Sequence, residues 1–187
     1  MRAIALAVLV SSVVTALSQI VFDEGKPPTK GRSPELEALN FMTGRWISEY
    51  VLRETSQSKE FKGKGIGVTQ WSPNGQFLIS DNWLLMKSPD APPNFWGAML
   101  YVTTWDPIRK EYRITDVSPT LTSTMSMTID GKRTMIQGET RDGDHVTKTT
   151  TVQERISDTK TRVRTECSID DGPAWVFTEG TATKVSD

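Results

Sequence analysis

The sequence predicts an all-β fold: an antiparallel up-and-down β-barrel of about ten strands, preceded by a short N-terminal helical turn. Three observations carry this. Side-chain character alternates with period two over one segment after another. Turn signals rich in Gly, Pro, Asn and Asp punctuate the chain at intervals of roughly ten residues. The connections are mostly short, roughly two to five residues, which excludes the long crossovers that parallel strands require.

The N-terminus precedes this pattern. Arg2 supplies a positive start, Ala3 to Ala16 is apolar, and Ala16-Leu17-Ser18 places small residues at the −3 and −1 positions. Residues 1–18 therefore read as a secretory signal peptide cleaved before Gln19. The apolar run, roughly 15 residues, is short for a membrane span of about 20. Residues 19–32 contain FDEGKPPTKG, a charged, Pro- and Gly-rich leader. In Ser33-Pro34-Glu35-Leu36-Glu37, Ser33 suits a helix cap, Pro34 suits the first helical position, and the two glutamates complement the helix N-terminus.

The expected strands are 45–54, 60–71, 76–86, 95–105, 111–117, 120–129, 132–140, 145–155, 160–169 and 174–184, within a domain of residues 33–187. Leu121, Ser123, Met125, Met127 and Ile129 share one face of their segment, and Thr122, Thr124, Ser126 and Thr128 the other. Thr161, Val163, Thr165, Cys167 and Ile169 likewise oppose Arg162, Arg164, Glu166 and Ser168. Ser72-Pro73-Asn74-Gly75, Asp106-Pro107, Asp130-Gly131, Arg141 to Asp144 and Asp170 to Pro173 mark turns. Asp130-Gly131 suits the centre of a two-residue hairpin loop with positive φ at both positions. Ser88 to Asn94 is a longer Pro-rich loop. Barrel closure removes the exposed sheet edges, and a sandwich is the alternative architecture. Arg162, Arg164 and Glu166 at mid-strand argue against a lipid-facing barrel.

Composition narrows the class. Lys and Arg total 22 against 23 Asp and Glu, for a net charge of −1, with no basic stripe to engage nucleic acid. The single cysteine, Cys167, cannot form an internal disulfide. A secreted or periplasmic bacterial protein is the expectation, with no membrane span after signal cleavage.

The stretch FMTGRWISE places a helical turn directly before Gly44-Arg45-Trp46, at the start of the first strand. It resembles the calycin superfamily of lipocalins and fatty-acid-binding proteins. SPNGQFLISD, TTWDPIRKEYRITDVS and MTIDGKRTMIQGE, in that order, are similar to the lipocalin-like family of domain of unknown function 1579, over about Leu36 to Lys184. The resemblance implies a barrel of eight to ten strands with a central cavity. It also implies that Gly44 and Trp46 form a structural plug at one end of the barrel. Calycins usually set a basic residue of the last strand against this Trp, and here only Lys184 is basic.

A ten-strand barrel is too wide for its side chains to fill. The cavity face is expected to carry Phe77, Ile79, Asp81 and Trp83 on one strand, Met99 and Tyr101 on the next, and Met125 and Met127 further on. Met and aromatic residues make an adaptable apolar pocket for a small apolar or amphipathic molecule. If segment 76–86 presents its other face, Asp81 is simply solvated. An enzyme would use Asp81 or Asp116 for acid–base chemistry, but no catalytic triad or G-x-S-x-G can be assembled. Haem ligation through His145, the only histidine, is disfavoured because its strand face is polar (Thr147, Thr149, Thr151, Gln153). One His and one Cys do not make a metal site. Gly63, Gly65 and Gly67 suggest a bend or bulge rather than a phosphate loop. Ligand identity and oligomeric state stay open.

Overall fold

The computed structural model describes residues 31–86, 95–118 and 122–186. The expected signal peptide, nearly all of the leader and the 88–94 loop lie outside the described residues. Helix α1 (Pro34–Glu37) is capped as its residues dictate: the Ser33 hydroxyl accepts from the Leu36 amide at 3.4 Å. A 3-10 turn (Asn40–Met42) follows. Ten strands then run β1 (Gly44–Leu52), β2 (Phe61–Trp71), β3 (Leu78–Met86), β4 (Phe95–Asp106), β5 (Glu111–Val117), β6 (Thr122–Asp130), β7 (Arg133–Asp142), β8 (His145–Ser157), β9 (Lys160–Ile169) and β10 (Trp175–Ser186). Every strand pairs antiparallel with its sequence neighbours, and β10 closes on β1. Strand ends differ from the sequence expectation by no more than two residues.

Turn chemistry explains most connections. The Asp106 carboxylate accepts from the amides of Ile108 and Arg109, both at 3.0 Å, and Lys110 takes the left-handed backbone. The β6–β7 hairpin differs from expectation. Asp130 pairs with Arg133, so its central residues are Gly131 and Lys132, and only Gly131 has positive φ.

One end of the barrel is sealed. Leu36 and Leu39 pack with Leu78, Tyr112, Ile114 and Met127 into a buried cluster. Three aromatic donors latch the N-terminal segment across that end. The Tyr112 hydroxyl donates to the Glu35 carbonyl (2.8 Å), the Trp46 indole to the Met42 carbonyl (2.9 Å) and the Trp71 indole to Asn40 Oδ1 (2.9 Å). Indole and phenol groups supply large apolar contact while their polar atoms stay satisfied. The Arg155 guanidinium lies over the Phe41 ring, 4.7 Å from its centroid.

The outer face of β8 to β10 is charged, with Arg162 bonded to Glu154 (3.1 Å) and Arg164 to Glu166 (2.8 Å). One apolar row crosses the outer face of β1 to β4, where Ile47, Ile66, Trp83 and Ala98 are consecutive cross-strand partners, flanked by charged residues such as the Lys64–Glu49 pair. No described helix is long and apolar enough to cross a membrane.

Candidate ligand-binding lumen

Period-two alternation sends every second residue of a strand inward, and cross-strand register locks neighbouring strands to the same phase. The sealed end fixes that phase, because Leu78, Ile114 and Met127 are fully buried there. From Leu78 the inward set on β3 continues through Ser80, Asn82 and Leu84, paired with Tyr101, Met99 and Gly97 on β4. Tyr101 then pairs with Asp116 on β5, and Asp116 with Ser123 on β6. The Thr69 hydroxyl donating to Ser80 Oγ at 2.9 Å shows that β2 and β3 share this phase.

Four of the eight residues expected in the cavity are therefore inward. Met99, Tyr101 and Met125 line the lumen, and Met127 belongs to the sealed floor. The other four are corrections. Phe77 precedes β3 and is exposed; Ile79, Asp81 and Trp83 point outward, Trp83 with 48% of its surface exposed. The segment Leu78–Met86 is apolar on both faces, so its sequence does not set its phase. Asp81 is the solvated carboxylate that the opposite orientation implies, and only Asp116 remains as an inward carboxylate on β5.

Gly63, Gly65 and Gly67 also need correction. Both ladders of β2 run without a bulge, and the bulges lie on β8 and β10 instead. The glycines are buried and make room for inward side chains. A Cβ on Gly65 would stand 3.1 Å from the Tyr50 hydroxyl, one on Gly63 2.7 Å from Leu52, and one on Gly67 2.5 Å from Asn82. Gly97 is different: among the described residues, the nearest atom to a Cβ there is the Leu84 carbonyl at 4.0 Å.

The inward lining above the floor has two sides. Tyr50, Leu84, Met99, Tyr101 and Met125 are inward yet only partly buried. Facing strands supply a threonine wall, in which Thr151 and Thr165 share a hydrogen bond of 2.9 Å. Cys167 is buried among these strands, and burial pushes its thiol up to about 11.

The electrostatics concentrate at mid-depth. Asp116 Oδ1 is out of reach of water and has no hydrogen-bond partner among the described residues, although the rest of the residue is partly exposed. Burial holds its carboxyl above the usual value of 3.8. Burial also raises the Tyr101 phenol, and the charges of Asp116 and Tyr50 raise it further. Its hydroxyl lies 3.3 Å from Met99 Sδ, a weak acceptor. Burial raises Tyr50 as well, against a hydrogen bond with Ser48 that lowers it. Sequence reasoning missed Tyr50 and Asn82, for which inward phase was the only signal.

His145 sits at the open rim, exposed, with Nδ1 2.7 Å from Asp170 Oδ2. Asp170 Oδ1 accepts from the Val146 amide at 2.8 Å. Two grooves are found among the described residues, neither bordered by Asp116; the first also reaches the inward-phase Met125, Gly138 and Thr149. One of about 490 Å³ is bordered by Arg109, Arg113 and Lys148, and one of about 520 Å³ by Asn40, Arg45 and Trp71.

No family model matches this chain, and no curated protein matches it. Solved structures do. Rv2717c from M. tuberculosis superposes with a TM-score of 0.60 at 11% identity, covering 83% of this chain and 99% of that one. The S-type phycobiliprotein lyase CPES from Guillardia theta superposes with a TM-score of 0.52 at 11% identity, covering 83% and 94%. At this identity the likeness establishes a shared lipocalin-like barrel fold.

Proposed function

We propose that this chain is an exported lipocalin-like barrel, of the family of domain of unknown function 1579, that holds a small amphipathic molecule in its lumen. One observation carries the binding reading: Tyr50, Leu84, Met99, Tyr101 and Met125 face inward yet stay partly accessible, while Leu52, Phe61 and Cys167 on the same inner surface are buried. Natural interiors are close-packed, so an unfilled, inward-facing lining of Met, Tyr and Thr is a pocket. Met99, Met125 and Leu84 receive the apolar part, and the threonine wall with Asn82 and Asp116 receives the polar part. The ordered segments from SPNGQFLISD to MTIDGKRTMIQGE support the family, and residues 1–18 support export.

Gly97→Phe tests the lumen, because no atom of the described residues lies nearer than 4.0 Å to a Cβ at Gly97 and a ring there would occupy the lumen. Titration with the neutral apolar dye N-phenyl-1-naphthylamine should give saturable fluorescence enhancement in the wild type, lost in Gly97→Phe at unchanged melting temperature. Absence of saturable enhancement in the wild type overturns the reading. Export is tested by the N-terminus of protein recovered from a secreting host, expected at Gln19.

A further inference from the structure

We propose that the polar end of the ligand is a protonated amine, received in the lumen by Asp116 with Tyr101 beside it; this rests on the lumen-binding reading. A buried carboxylate oxygen normally finds a donor, and one left without a partner is costly. Asp116 Oδ1 has none among the described residues. No described side chain supplies a counter-charge there. The two basic residues in lumen phase, Arg155 and Lys184, belong to the sealed end, where Arg155 covers Phe41 and Lys184 lies against Gly44. The inward neighbours of Asp116 in the ladders are Tyr101 and Ser123. These are neutral, and Tyr50 is the further titratable group whose charge reaches Tyr101.

The missing element is thus a hydrogen-bond donor that also carries positive charge. A charge-assisted N–H···O bond is shorter and stronger than a neutral one, and a low-dielectric wall strengthens it further. An anionic head group would meet an uncompensated carboxylate, and an alcohol would supply a donor without charge. The Tyr101 ring adds cation–π attraction to an ammonium group. Leu84, Met99 and Met125 sit on the same walls and accommodate an alkyl or aryl tail.

The test is calorimetric titration of the full chain with octylamine, octanol and octanoate at neutral pH. The three probes share a tail and differ only in head group. Octylamine should bind about tenfold more tightly than octanol, with octanoate weakest. Asp116→Asn should lower octylamine affinity about tenfold and so abolish its advantage over octanol. Asp116→Ser, checked by thermal melting, repeats the comparison if the amide variant fails to fold. Equal affinity of amine and alcohol in the wild type overturns the inference. So does an amine preference that survives Asp116→Asn. In both cases, retained octanol binding that Gly97→Phe abolishes leaves the lumen reading standing. Failure of all three probes and of the neutral dye overturns both.

Discussion

Lys184 on the last strand stands directly opposite Trp46 on the first in the β1–β10 ladder. The closing seam of the barrel thus brings together the Trp and the sole basic residue of the final strand, a pairing that the resemblance to calycins left open. Gly44, two residues before Trp46, has a φ of +108°, and a side chain there would overlap Lys184. The indole's bond to the Met42 carbonyl ties this seam to the helical plug. Trp46→Phe, which keeps a ring and removes the donor, should lower stability by about 1 kcal/mol in urea unfolding.

Gly180 pairs with Tyr50 in the same seam, and a Cβ at Gly180 would overlap the Glu49 backbone carbonyl. Backbone cannot move aside as a side-chain tip can. Gly180→Ala should therefore cost about 1–3 kcal/mol, read as a fall in the urea midpoint. Gly97→Ala, with nothing close by, should change the midpoint far less.

Asp116 makes stability pH-dependent in a determined direction. Its folded pKa lies above its unfolded value, so the folded state holds the proton more tightly. This contribution is fully present below pH 3.8, the ordinary value, and is lost as pH rises through the folded value. Asp116→Asn removes that loss. The variant should melt at a higher temperature than the wild type at neutral pH, and the gap should narrow as pH falls toward 3.8. Thermal melts across this range check it.

The rim clasp between His145 and Asp170 has its own window. A hydrogen bond to the Asp170 carboxylate raises the His145 pKa, so its contribution is full below 6.5 and lost as pH rises through the folded value. The hydrogen bond with His145, and then the Val146 amide, lower the Asp170 pKa, so its contribution holds above 3.8 and is lost as pH falls through the folded value. The clasp is strongest between those limits. Val146 and Asp170 amides, which bond across it, should exchange more slowly at pH 5 than at pH 8 after correction for intrinsic rates. His145→Gln should abolish the change at the alkaline side.

Asp81 and Trp83 face outward, so Asp81→Asn and Trp83→Lys should leave dye binding within about twofold of the wild type, because neither side chain touches the lumen. A large loss of dye affinity in either variant would contradict the strand phase described above.

Strand number, order and most turns were legible in the sequence because their causes are local. Alternation along Thr161 to Ile169 is a property of adjacent residues, and the Asp106-Pro107 turn is set by one carboxylate and its nearest amides. The face presented by Leu78–Met86 was not legible. Trp83 is apolar because it packs laterally between Ile66 and Ala98 on the outer surface, while Ser80 and Asn82 turn inward toward Thr69 and Gly67. A strand with two apolar faces is phased by its neighbours, not by its own pattern. Gly63, Gly65 and Gly67 were visible as a motif, but their purpose depends on Leu52, Tyr50 and Asn82 arriving from adjacent strands.

The sequence by itself determined an all-β chain of ten antiparallel strands with a helical plug, because periodicity and turn chemistry act over a few residues. Only the tertiary structure decided which face of β3 is wet, which carboxylate reaches the lumen, and that Asp116 Oδ1 has no partner there among the described residues. Those outcomes depend on register and closure, which join β1 to β10 across most of the chain, and no local pattern encodes them.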